Sequence, residues 1–158
     1  MSKRILGGVA ILAAIGTLGV AATASGSLLS GVYAGKITGI NGAGIAGFKG
    51  GNMKFKICNC GRIERFEFSK IRVGCTDGNL WRTSGKVAPA GRAFIRKGVR
   101  QFKFHRTNQY GGVLNVRGVF RGNDHARGFL RYKGRMATTG GVKTCTTETQ
   151  FWSAGHVG

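Results

Sequence analysis

Apolar and polar residues alternate with a period of two along most of this chain, and no stretch beyond residue 24 sustains a 3.6-residue apolar repeat. Met53, Phe55 and Ile57 alternate with Lys54 and Lys56. Leu114, Val116, Gly118 and Phe120 share one parity, as do Ala126, Gly128, Leu130 and Tyr132. Glycine-containing turns interrupt the pattern at roughly ten-residue intervals, as in a sandwich or barrel. The predicted strands are 31–38, 53–57, 62–75, 80–87, 99–105, 113–121, 126–133 and 142–154, with 93–96 a possible short ninth. Phe66 and Phe68 lie on one parity but Ile71 and Val73 on the other, which predicts a bulge near Ser69–Lys70. Asp77-Gly78 is a hairpin dipeptide. The links between the later strands are too short for parallel crossovers, so those neighbours are antiparallel. The expected fold is all-β: a single antiparallel β-sandwich or barrel of about eight strands, stabilised by at least one disulfide.

The N-terminus breaks this pattern. Lys3 and Arg4 form a positive head, residues 5–22 carry no charge, and Ala22-Thr23-Ala24 is a small-residue exit before Ser25. Those three parts make a cleavable export signal. The chain is therefore divided into a signal-peptide helix at 1–24 and a secreted domain at 25–158. An uncleaved membrane anchor is the rival reading, since the apolar run approaches the ~20 residues that span a bilayer. Its Gly and Ala content and the lack of a basic stop-transfer cluster favour cleavage, leaving no transmembrane segment in the mature protein. The expected location is secreted or cell envelope.

Charge changes the picture most. The formal net charge is +20, and loss of Lys3 and Arg4 leaves +18 on the 134 residues from Ser25 onward. The excess belongs to the folded domain. It resists self-association, which predicts a monomer, and it attracts polyanions. With Leu114, Val116, Phe120, Leu130 and Tyr132 inward, the opposite parity carries Arg117, Arg121, Arg127, Arg131 and Lys133. Phe102 and Phe104 inward put Lys103 and His105 outside on the preceding strand. Three consecutive strands thus share a basic outer face holding Lys103, Arg117, Arg121, Arg127, Arg131 and Lys133, with Phe129 exposed within it. The plainer reading of such residues is a solvated outer surface.

The cysteines are Cys58, Cys60, Cys75 and Cys145. An even number in an exported chain reads as disulfides, and four allow three pairings. The preferred pairing is Cys75–Cys145, with Cys58 and Cys60 joined to each other or reduced. Cys58-Asn59-Cys60 needs a turn, because i and i+2 side chains of a strand are too far apart to bond. Zinc would require four ligands in C-x₂₋₄-C spacing, which C-x-C with two distant cysteines does not supply. No metal or other cofactor is expected.

Several short elements together resemble a group of small exported β domains of actinobacteria. They are Gly31-Val32-Tyr33-Ala34-Gly35, Phe66-Glu67-Phe68, Cys75-Thr76-Asp77-Gly78 and Gly118-Val119-Phe120. Ala126-Arg127-Gly128-Phe129-Leu130-Arg131 and Cys145 with Trp152-Ser153-Ala154 complete the set. The resemblance implies an antiparallel β domain pinned by one bridge, here Cys75–Cys145, and transfers no catalytic residues. The glycine-rich insertion at 39–52 and the Cys58/Cys60 pair depart from it.

Little else points to chemistry. His105, His125 and His156 have no metal-binding spacing. A basic secreted hydrolase such as a ribonuclease would pair His105 with Glu64 or Glu67 as acid and base, yet nothing local brings them together. The glycines of 39–52 lack the Gly-Lys-Ser/Thr of a phosphate loop. Trp81, Phe94, Tyr110 and Trp152 are candidate ligand platforms whose commoner fate is the core. The expected role is a non-enzymatic binding module for an acidic polymer: extracellular nucleic acid, cell-wall polyanion or acidic polysaccharide. The alternative is a structural or interaction domain of the envelope without a specific ligand. No base-reading helix or aromatic RNA-recognition strand is visible, so binding should ignore sequence.

Overall fold

The computed structural model describes residues 27–40, 50–88, 93–95 and 98–158, with backbone only at 40, 93 and 94. The predicted signal peptide, most of the 39–52 insertion and Pro89 lie outside the described residues. Among the described residues, ten strands follow in order: β1 (Gly31–Ile40), β2 (Asn52–Ile57), β3 (Arg62–Cys75), β4 (Leu80–Val87) and β5 (Ala93–Phe94). Then come β6 (Gln101–Thr107), β7 (Val113–Arg121), β8 (His125–Thr138), β9 (Gly141–Thr146) and β10 (Gln150–His156). All belong to one sheet, and every pairing is antiparallel. The fold is all-β, as the alternation predicts.

The ladders form a closed ring: β1–β2–β3–β9–β8–β10 and back to β1. β7 and then β6 extend the sheet from the other edge of β8, while β4 and β5 flank β3. β6 curls over the common interior, so that Phe102 lies 5.6 Å from Phe55 and Phe104 lies 5.4 Å from Phe66. Tyr33, Phe55, Phe66, Phe102, Phe120 and Trp152 dominate one aromatic-rich core. Trp152 needs room, and Gly118 and Gly128 provide it. These two residues face each other across β7 and β8, and a Cβ on either would strike the Trp152 ring.

Three differences from the sequence reading have local causes. β8 runs through Gly134 to Thr138, beyond the predicted end at Lys133. Gly134 interrupts the alternation but not the strand, because Gly112 of the β6–β7 turn packs where its Cβ would stand. The expected last strand, 142–154, is two strands. Between them Thr147 is buried: its N–H donates to Tyr132 O at 2.8 Å, and its hydroxyl accepts from Tyr132 N at 2.7 Å. A side chain thus replaces a carbonyl in the ladder and ends β9. Finally β6 starts at Gln101, because residues 98–100 form a turn that leaves Val99 exposed.

The bulge in β3 lies between Phe68 and Ile71, with Lys70 at a φ of 57°. A second irregularity near Glu64–Arg65 lets both Ile63 and Phe66 point inward. Both disulfides form: Cys75–Cys145 and Cys58–Cys60. The first joins directly opposed residues of β3 and β9, a ladder of only two residue pairs, and so clamps the narrowest contact in the ring. The second lies within the β2–β3 turn.

Candidate polyanion-binding face

Strand alternation, with the core on one side, turns the opposite side chains of β6, β7 and β8 outward. Lys103, Arg117, Arg121, Arg127, Arg131 and Lys133 are all exposed. The register sets their neighbours: Lys103 faces Arg117, Arg117 faces Phe129, Arg127 faces Val119, Arg131 faces Asn115 and Lys133 faces Val113. From Arg127 to Lys133 the cations of β8 extend about 20 Å at the usual strand rise. The structure therefore brings together all six residues singled out from sequence.

None of the five acidic residues forms an ion pair with these six cations. Among the described residues, the ion pairs are Lys56–Glu64 at 3.0 Å, Arg65–Glu67 and Lys86–Glu67 at 3.7 Å, and His125–Asp124 at 2.8 Å. None involves the six cations of the face. Asp124 sits in the β7–β8 turn near Arg121, but the hydrogen bond from His125 engages it and, as the main cause, holds its carboxyl below the ordinary range. Asp77 is likewise lowered, chiefly by the backbone N–H of Asn79. Burial raises the Tyr33 and Tyr132 phenols, and the nearby Asp124 charge adds to the shift at Tyr33.

The outside of β1–β4 is different. A shallow groove of about 880 Å³ there carries Lys36, Lys54 and Lys86, but Glu67 lies between Lys54 and Lys86 in register. Its cations are partly compensated, and those of β6–β8 are not. A smaller cavity of about 400 Å³ opens between β4 and β6, walled by Phe68, Ile71, Leu114 and Met136, with Arg106 and Lys86 at its lining.

The face extends beyond the predicted residues. β10 lies beside β8, placing Phe151 directly opposite Phe129 and Ser153 opposite Arg127. The Phe129 and Phe151 ring centroids are 6.3 Å apart, and the Arg117 guanidinium lies 5.7 Å from the Phe129 centroid. Phe129, expected to be exposed, is half-buried, as is Phe151. The parity of Phe151 against Trp152 was readable from the sequence. The adjacency of β8 and β10 was not.

The His105–Glu67 hydrolase pair is not assembled, and Glu64 instead pairs with Lys56 at 3.0 Å. Phe66 and Phe104 meet through the core, so the neighbouring outward residues Glu67 on β3 and His105 on β6 point to opposite surfaces. Of the candidate platforms, Trp152 is in the core, Trp81 packs partly against it and Tyr110 is exposed in the β6–β7 turn. The Phe94 side chain lies outside the described residues. The described residues contain no cluster of three or more His, Cys, Asp or Glu suited to a metal ion, and no helix long and apolar enough to cross a membrane. No protein-family model matches the chain, and comparison with curated proteins finds no match.

Proposed function

We propose that this protein is an exported, monomeric, non-enzymatic binding module for acidic polymers, and that β6–β8 form its contact surface. One observation carries the reading: six exposed cations on three hydrogen-bonded strands, none in an ion pair among the described residues. A merely soluble basic domain gains nothing from segregating its acids, whereas a polyanion gains from each uncompensated cation. Two disulfides suit an oxidising compartment outside the cytoplasm.

The test is affinity for nucleic acid and acidic polysaccharide as a function of salt. Cations that neutralise phosphates release counterions, so log affinity should fall with log salt by about 0.9 per phosphate contacted on duplex DNA and about 0.7 on a single strand. Changing Arg117, Arg127 and Arg131 together to Ser should weaken binding and flatten that slope. Changing Lys54, Lys56 and Lys86 to Ser should do less, since Lys56 and Lys86 already face Glu64 and Glu67. Equal losses from the two triple variants would show a diffuse field and no dedicated face. No binding at low salt would leave the envelope structural domain as the better reading.

A further inference from the structure

We propose, resting on the acidic-polymer reading, that the polymer is single-stranded nucleic acid, whose bases stack on the Phe129–Phe151 pair while Arg117, Arg127 and Arg131 hold its phosphates.

The pair is out of place on a charged surface. Outward residues of β8 run His125, Arg127, Phe129, Arg131, Lys133, and those of β10 begin Phe151, Ser153. Neither ring belongs to the buried core: Trp152, Leu130 and Ala126 fill that side of the sheet. Two phenylalanines from separate strands nevertheless meet in direct register, their planes tilted by 58°. Cations flank Phe129. Along β8 the order is Arg127, Phe129, Arg131, so cation, ring and cation alternate. Across the sheet it is Lys103, Arg117, Phe129, Phe151. Arg117 already lies over the Phe129 ring, within cation–π distance, and so keeps a positive charge beside a stacking surface.

A ligand matching that alternation must itself alternate anions with planar apolar faces. Single-stranded DNA or RNA does, with a phosphate and a free base in each unit. A duplex buries its base faces in the stack, and glycerol-phosphate-type wall polymers have no ring. Sequence should matter little, because every base has a π-face and stacking reads no hydrogen-bonding edge.

The deciding experiment compares oligothymidylate, duplex DNA and heparin with the wild-type protein, the Arg117/Arg127/Arg131→Ser variant and a Phe129→Leu/Phe151→Leu variant. Leucine keeps apolar bulk on the strands and removes the rings, and the melting temperature verifies the fold. Oligothymidylate should bind wild type tightest. The Leu pair should weaken that binding about fivefold or more, the lower end of one lost stacked base, without changing the salt slope or the affinity for heparin. The Ser triple should weaken all three ligands and flatten the slope. If the Leu pair leaves oligothymidylate affinity unchanged, or lowers heparin affinity equally, the stacking proposal is overturned while the acidic-polymer reading stands. If none of the three binds wild type at low salt, both fall.

Discussion

Gly128 shows how one atom can govern this sheet. A Cβ there would collide with the Arg117 carbonyl oxygen and the Trp152 ring, and neither can move alone, since one is β7 backbone and the other is enclosed by the core. Gly128→Ala should therefore cost about 1–3 kcal/mol, the usual penalty for overpacking, read from the urea midpoint. Gly140→Ala is the control. Its Cβ would meet nothing nearer than 3.8 Å, so the substitution should gain about 0.4–1 kcal/mol through a less flexible unfolded chain. Similar effects of the two substitutions would contradict the placement of Trp152 beneath Gly128. Tyr33 links such packing to pH. Burial first, then the Asp124 charge, raises its phenol above the ordinary value of about 10. The folded state then holds protons that the unfolded state releases, so this stabilisation is complete below pH ~10 and is lost as pH rises through the folded value. The wild type should lose stability more steeply in that range than Tyr33→Phe.

At the scale of elements, the two disulfides are unequal. Cys75–Cys145 spans 70 residues and reinforces the short β3–β9 ladder that closes the ring. A loop of that length corresponds to about 4 kcal/mol in chain entropy, so replacing both cysteines with Ala should lower stability by roughly that amount. Cys58–Cys60 joins residues two apart, in a turn that backbone bonds from Cys58 N to Arg62 O and from Gly61 N to Cys58 O already hold. Its removal should matter far less. Equal losses in denaturant titrations would show that β9 does not depend on its bridge. Thr147 offers a second element-scale test. Thr147→Val keeps the shape but removes the oxygen that accepts from Tyr132 N, leaving a buried donor unpaired at a cost of about 1–3 kcal/mol.

For the whole molecule, the distribution of charge matters more than its total. The few acids are drawn to β3 and to connections, which leaves the six cations of the β6–β8 face outside the ion pairs among the described residues. The proposed export also belongs to this scale. Leu28 packs against the core and β1 begins at Gly31, both after the predicted cleavage site at Ala24. N-terminal sequencing of exported protein should begin at Ser25. Met1 on membrane-bound protein would establish an anchor instead.

The sequence alone carried what depends on neighbours along the chain. Alternation assigned inward and outward residues on β6, β7 and β8, and short turns joined these strands in order, so the shared outward side of the six cations is written in the sequence. The phase change at Phe68–Ile71 likewise located a bulge, and the Asp77-Gly78 turn a hairpin. What only the tertiary structure decided were contacts between distant segments: β1 and β8 against β10, and β3 against β9. Such pairings leave no local periodic mark, because a strand shows the same alternation whatever lies beside it. Gly134 and Thr147 misled for the same reason, since the Gly112 turn and the Tyr132 backbone that explain them come from elsewhere in the chain. The Phe129–Phe151 pair joins both cases: each ring's face was legible from its own strand, but their meeting depended on β10 closing the ring beside β8.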